Sequence, residues 1–421
     1  MQQQIIQLDN QLKTVLIQIP QSPSVTVLVL VHTGSRFESP DIAGLAHFVE
    51  HMFFKGTKQY PSSLKLALAM ENIGGTSNAF TSYEYTGYFI KVPQENFASA
   101  IEILSDIVQN AIFLEEEIVK ESGVICEEIK MYEDIPMDKI ARIFQESLFK
   151  NSTLAGDIAG SIKTVKNFKA QNFKEFAAKF YTANNMTLVV AGHLNEKETV
   201  AIIKENFSAI KLGKKHQAEL VNEITLRNNF QITTQELEQV HIIVGGRSIN
   251  REDPRRYALK VGNAILGFGF GSLLFQEIRE KLGAAYYVHS SIHEFSDTGK
   301  YEISVGLDRT KLEIGITSIS HILKKLIKGI ITEEELNRAK NLLMGYITSE
   351  LDNSEDLAEF FGIQYLLTGK IVTPQELILK IKTIQLKDVV EIWQEILQPE
   401  NIFASVLGPV SLEKLDKYSI L

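Results

Sequence analysis

The feature that most restricts what this chain can fold into is that its second half echoes its first. Val27-Leu28-Val29-Leu30-Val31-His32-Thr33-Gly34-Ser35-Arg36 reads as a buried strand entering a glycine turn, with a proline-marked helical segment from Pro40 behind it. The same succession returns at Val240-His241-Ile242-Ile243-Val244-Gly245-Gly246-Arg247-Ser248, followed by Pro254. Ser35 and Ser248 stand 213 positions apart, and the segments NMTLVVAG (Asn185 to Gly192) and NIFASVLG (Asn401 to Gly408) stand 216 apart, each about half of the 421 residues. Two pairs in register at nearly equal offsets indicate an internal duplication, with enough chain in each copy to bury its own core.

Each half mixes strands of period two, such as Thr86 to Val92 and Tyr301 to Leu307, with long amphipathic helices, such as Phe97 to Ile112 and Glu333 to Asp352. Strands and helices do not alternate one for one, which favours α+β halves. The expected fold class is α+β, two homologous domains each with helices packed on a mostly antiparallel sheet. Between the copies, Lys211 to Asn229 is polar, basic and without clear periodicity, which suits a linker, giving a first domain at 1–212, a linker at 213–229 and a second domain at 230–421.

Composition then removes several classes of function. Lys and Arg number 43 against 52 Asp and Glu, a net charge of −9, so binding nucleic acid through phosphate neutralisation is not expected. The apolar run Val25 to Val31 is too short to span a bilayer, and Met1-Gln2-Gln3-Gln4 lacks the basic start of a secretory signal. No membrane association is expected, and the location expected is the cytoplasm. A single cysteine, Cys126, forbids any internal disulfide and suits a small buried hydrophobe.

The most informative stretch is Pro40 to Phe54, read as one helix with Ser39 as N-cap, Pro40 in the first position and Gly56 behind its end. It contains His47-Phe48-Val49-Glu50-His51. With His47 at the origin, His51 falls at about +40° and Glu50 at about −60°, so the three share a face. Leu45, Phe48, Val49, Met52 and Phe53 fill the opposite side, the pattern of a buried helix whose polar groups need partners. Histidines one turn apart can hold one zinc ion, and a neighbouring carboxylate can take a proton from the attacking water. The plainer reading is two histidines satisfied by ordinary hydrogen bonds.

A catalytic zinc site needs a third protein ligand. In the expected helix Glu115 to Asp134 the apolar stripe is Ile118, Ile125 and Ile129. Glu121 and Glu128, seven residues apart, lie together at its edge, whereas Glu127 points to solvent. Periodicity therefore selects Glu128 as the inward-reaching ligand and Glu121 as its companion.

These residues resemble the inverted zinc peptidases, the family of pitrilysin, insulin-degrading enzyme and the mitochondrial processing peptidase. The family shares the His-x-x-Glu-His order and a distal glutamate with another seven residues before it. The stretches HFVEHMFFKGT (His47 to Thr57) and ESGVICEEIKMYED (Glu121 to Asp134) are close to its wording. Gly74 to Thr81 resembles the edge strand on which members pair a peptide, which implies substrate contacts at Asn78 and Ala79. Arg279 to Tyr286, REKLGAAY, resembles the block that brings Arg279 and Tyr286 to the substrate, opposite the metal in a closed chamber. Departures are the missing arginine near Leu274 and the aromatic run Gly267-Phe268-Gly269-Phe270-Gly271, which lacks the ending of a phosphate loop.

The resemblance implies a zinc endopeptidase holding one Zn²⁺ per chain on His47, His51 and Glu128, with Glu50 as base and Glu121 orienting a ligand histidine. Its partners would be peptides and a second subunit, in a homodimer or in a heterodimer with an inactive homologue. Two rivals stay open: a non-catalytic or partner-dependent subunit of the same family, and a peptide-binding module that does not cleave.

Overall fold

The structure, a computed structural model, describes residues 2–222, 230–411, 415, 420 and 421. It divides into two compact units. The first comprises Met1–Met131, Gly156–Glu219 and Glu350–Thr373; the second comprises Tyr132–Ala155, Leu220–Ser349 and Pro374–Leu421.

The first unit is built on strands β1 (Gln2–Gln7), β2 (Lys13–Gln18), β3 (Ser24–Val31), β4 (Thr76–Thr81), β5 (Thr86–Pro93) and β6 (Met186–Gly192), in the order β1-β2-β6-β3-β5-β4. The second uses β7 (Phe230–Thr234), β8 (Gln239–Ser248), β9 (Ala285–Glu294), β10 (Gly299–Asp308) and β11 (Phe403–Gly408), in the order β7-β11-β8-β10-β9. Five strands of the first sheet reproduce the second strand for strand. In each, the first pair (β2 with β6, β7 with β11) is parallel and the remaining three pairs are antiparallel. The duplication and the α+β class are thus both present, with one parallel pair inside each mostly antiparallel sheet.

Strand β3 reads SVTVLVLV, apolar without alternation, because both of its faces are covered. Val25, Val27, Val29 and Val31 enter the main core of the first unit with Phe48, Val49, Met52 and Phe53 of the helix Leu45–Phe53. Leu28 and Leu30 face the other way and pack with Val15, Ile17, Phe89 and Val189 against Leu357, Phe361 and Tyr365. Those last three belong to the helix Ser354–Thr368, which joins the first sheet although it lies more than 160 residues after β6 in sequence. Gly362 lets this helix approach: a Cβ there would stand 2.7 Å from Leu30 Cδ1 and from Val189 Cγ2. The second sheet is served likewise by the helix Pro136–Leu148, whose Phe144 stacks on Phe403 with centroids 4.8 Å apart.

The compact units are therefore not the continuous halves 1–212 and 230–421: residues 132–155 group with the second sheet and 350–373 with the first. The physical reason is that each sheet has a second apolar face, which a segment distant in sequence fills. Residues 211–222 of the polar stretch carry no helix or strand, and residues 223–229 of the expected linker lie outside the described residues. Among the described residues no helix is long and apolar enough to cross a membrane.

Because Phe361 is fully buried, Phe361→Ala should cost the first unit about 3–5 kcal/mol. Leu64→Ala, at a position 66% exposed, should stay within about 0.5 kcal/mol. Urea unfolding followed by circular dichroism checks both, and equal midpoints for the two variants would refute the role given to the second face.

Candidate metal centre

The helix expected from Pro40 starts later. Pro40–Ile42 is a 3-10 turn, the chain breaks at Gly44, and the α-helix runs from Leu45 to Phe53. Gly44 has φ of 93°, and a Cβ on it would stand 2.5 Å from the Ala159 carbonyl oxygen, so both backbone conformation and space call for glycine. Ser39 makes no side-chain cap. The cap comes instead from Glu38, whose carboxylate accepts from the backbone N–H of Gly44 at 2.8 Å and of Ala46 at 2.5 Å. The helix ends at Phe53, ahead of Gly56, with the Phe54 N–H donating to the His51 carbonyl.

Within this helix the apolar set Leu45, Phe48, Val49, Met52 and Phe53 is buried, which fixes its rotation. His47 and His51 then converge, Nε2 to Nε2, at 3.3 Å. Glu128, from the helix Glu115–Asp134, places Oε1 3.8 Å from His47 Nε2 and Oε2 3.9 Å from His51 Nε2. Among the described residues this is the one group of three or more His, Cys, Asp or Glu side chains placed to share a metal ion, with donor atoms within 4.8 Å of one another. Tetrahedral ligands at ~2.1 Å from zinc would stand ~3.4 Å apart. Two imidazoles and one carboxylate at these separations fit such an ion and leave a fourth position open. Glu127 is exposed, as its place on the helix requires.

Glu121 is buried, and its Oε1 stands 2.9 Å from His51 Nδ1. A carboxylate there accepts a hydrogen bond from Nδ1–H, which leaves the Nε2 lone pair free for a cation. Its second oxygen pairs with Nζ of Lys55, which lies just past the end of the histidine helix, at 2.6 Å. Burial disfavours the Glu121 charge, but the hydrogen bonds from His51 and Lys55 outweigh it and hold the carboxyl below its usual range. Burial likewise works against a charged His51, yet the hydrogen bond to Glu121 and the charges of Glu50, Glu121 and Glu128 prevail and raise it. His47 has no such compensation. Burial, then the neighbouring His51, lowers it to about 4, and its Nδ1 has no hydrogen-bond partner among the described residues.

Glu50 turns toward β4, where its Oε2 accepts from Thr81 Oγ1 at 2.5 Å. Burial pushes its carboxyl up, against the lowering effect of Thr81 and His51. Beside these groups lies a cavity of about 330 Å³ lined by Glu50, His51, Phe54, Lys55, Ser77, Asn78, Ala79 and Glu121. Ser77, Asn78 and Ala79 belong to β4, an edge strand of the first sheet. The Asn78 side chain accepts from the N–H of Ala79 at 2.9 Å. Arg279 and Tyr286 belong to the second unit, at a π-helical turn (Phe275–Lys281) and the start of β9. Arg279 Nη1 donates to the Tyr286 carbonyl, and the Tyr286 side chain is exposed. Cys126 is free and buried.

Thr81, Lys55 and Glu38 escaped the reading of the sequence. Lys55 had only a weak signal, its place four residues after His51, because it lies two residues beyond the helix end at Phe53. Glu38 had none, because only the folded path brings it back to the helix start.

The fold and the donor set define a duplicated α+β chain with a candidate zinc centre in its first unit. The sequence matches the family described as Insulinase (Peptidase family M16) over residues 13–162, and that described as Peptidase M16 inactive domain over residues 167–343. It is 34% identical over 411 residues to an uncharacterized zinc protease of Rickettsia bellii (strain RML369-C), covering 97% of this chain and 98% of the relative. Identity to an uncharacterized zinc protease of Bacillus subtilis (strain 168) is 33% over 380 residues, covering 90% and 92%. The fold is shared with the crystal structure of a protease from Helicobacter pylori, at a TM-score of 0.91 and 23% identity, covering 97% of this chain and 99% of that one. It is shared too with a peptidase M16 inactive domain from Pseudomonas fluorescens, at a TM-score of 0.91 and 18% identity, covering 98% of each. This chain belongs to the insulinase family of peptidases, M16.

Glu38 carries a pH signature. Burial pushes its carboxyl from near 4.5 up to about 8, opposed by the N–H groups of Ala46, Gly44 and Leu45. The folded chain then binds a proton that the unfolded chain releases in this window, so the Glu38 contribution is full below about pH 4.5 and lost as pH rises through about 8. Unfolding free energy should therefore fall more steeply between pH 5 and 8 in the wild type than in Glu38→Gln. Parallel curves from urea titrations of the two would count against this assignment.

Proposed function

We propose that this protein is a zinc-dependent endopeptidase that hydrolyses extended peptides, with one zinc ion held by His47, His51 and Glu128. The observation that carries the reading is the convergence of both Nε2 atoms on Glu128 beside Glu50, at the cavity under β4. Zinc, when bound, supplies Lewis acidity that polarises a peptide carbonyl and acidifies water. Glu50 takes a proton from the attacking water and returns it to the leaving amine. Burial raises its carboxyl above the ordinary range, which makes it a stronger base toward the attacking water. Glu121 fixes the ring and tautomer of His51 through Nδ1. The peptide adds as a further strand along the open side of β4 at Asn78 and Ala79, recognised chiefly through backbone hydrogen bonds. Arg279 and Tyr286 are assigned to substrate contact and oxyanion support by their match to the family block. The proposed setting is a cytoplasmic homodimer; a heterodimer with an inactive homologue would show as two masses in the native complex.

The rival of a binding or partner subunit is disfavoured by Glu50. Binding alone has no use for a carboxylate held between the metal donors and the peptide strand.

Purified wild type should bind about one zinc per chain and cleave a mixed quenched-peptide library. Glu50→Gln should keep its zinc and lose cleavage by at least ~10³-fold. Zinc retained in both proteins with cleavage in neither would mark a binding or partner-dependent subunit, and no zinc in either would dispose of the ligand set. Glu121→Gln should weaken zinc binding by roughly 10–100-fold, measured by competition with a chelating dye; unchanged affinity would deny it an orienting role.

A further inference from the structure

The base and the peptide strand are joined by one hydrogen bond, from Thr81 Oγ1 to Glu50 Oε2 at 2.5 Å. We propose that Thr81 is a positioning residue for Glu50, and that the segment 33–38 holds the strand carrying Thr81 and the helix carrying Glu50 at a fixed spacing. The proposal rests on the peptidase reading above.

The argument begins with the acceptor. A hydroxyl donating to Oε2 restricts rotation of the carboxyl and leaves Oε1 to meet water. Glu50 extends from a helix whose rotation is fixed by buried apolar side chains, but its own three torsions are not fixed by that packing. Thr81 supplies the missing restraint from the last residue of β4.

The spacing between the two elements is also built in. The turn after Thr81 is fastened to residues 33–38: Ser35 N–H donates to the Ser82 carbonyl at 3.3 Å, and Arg36 N–H to the Tyr83 carbonyl at 3.0 Å. Arg36 Nη1 pairs with Glu84 Oε1 at 2.7 Å, the two side chains 0% and 3% exposed. Gly34 permits the approach, since a Cβ there would stand 2.2 Å from the Ser82 carbonyl oxygen. Two residues past Arg36, Glu38 accepts from the first N–H groups of the histidine helix. One short segment thus grips the β4–β5 turn at one end and the start of the helix at the other. A peptide added to β4 would accordingly be registered against the same strand that aligns the base.

The test compares Thr81→Val, which keeps the shape and removes the donor, with Thr81→Ser, which keeps the donor. Zinc content and steady-state kinetics on a quenched peptide are measured, together with crystal structures of the zinc-loaded proteins. Thr81→Val should lower kcat by roughly 10–100-fold with KM and zinc content within about twofold, Thr81→Ser should restore most of kcat, and Glu50 should turn away from β4 in the valine variant. An unchanged kcat in Thr81→Val, a serine variant as slow as the valine one, or a loss confined to KM would overturn the proposal. If the wild type cleaves nothing, the peptidase reading fails by itself, and the crystals decide the remainder. Glu50 unmoved in Thr81→Val would overturn the positioning role, and Glu50 rotated away would sustain it.

Discussion

A sheet with two apolar faces has to be covered twice, and that requirement organises both units. In β3 the valines and leucines alternate, so each face presents its own branched row. The valine row is buried with Phe48, Val49, Met52 and Phe53, and the leucine row by Phe361 and its neighbours. Close packing on both faces leaves the strand and the histidine helix one arrangement. A turn of the helix by a single residue, about 100°, would drive an imidazole into the core and a phenylalanine out of it. The convergence of His47 and His51 is therefore a by-product of apolar burial, fixed before any metal is considered.

Electrostatics then divides the labour between the two histidines. His51 stands at the head of a chain running through Glu121 to Lys55, in which each charge compensates the next within a half-buried pocket. Its carboxylate neighbours favour the imidazolium, so a proton and a metal compete for this ring. His47 lacks a carboxylate at Nδ1, and burial keeps it neutral down to about pH 4. One donor is oriented by a hydrogen bond, the other by packing alone.

How much of this was legible in the sequence depends on the range of the interaction. Periodicity within one helix separates Glu128 from Glu127 and gathers His47, Glu50 and His51 on one face, because those relations span two turns at most. The repeat offsets reveal the duplicated sheet, in which five strands of the first copy follow the same order as the five of the second. What periodicity cannot reach is contact between segments distant in the chain. Glu38 replaces Ser39 as the cap because the chain reverses at Gly44. The helix Ser354–Thr368 stands in the second half of the chain, yet its buried side chains Leu357, Phe361 and Tyr365 belong to the first sheet. The missed Thr81 has a partner 31 residues away, a relation no local pattern carries.

The duplication also separates what the scaffold needs from what the chemistry needs. After β8, as after β3, the chain enters a buried helix, here Arg256–Leu266, which contains no histidine or acidic residue. There Gly262 lies against the Trp393 indole, where a Cβ would be only 1.9 Å from Nε1. In the second copy this helix is thus packed through apolar and aromatic contacts. In the first copy the three donor side chains keep between 12% and 24% exposure, outside a core already closed by Phe48, Phe53 and their neighbours. Small zinc domains that unfold without metal have no such core to fall back on. Here the same architecture stands, among the described residues of the second unit, without a donor set, so the donors of the first are an addition to a finished fold.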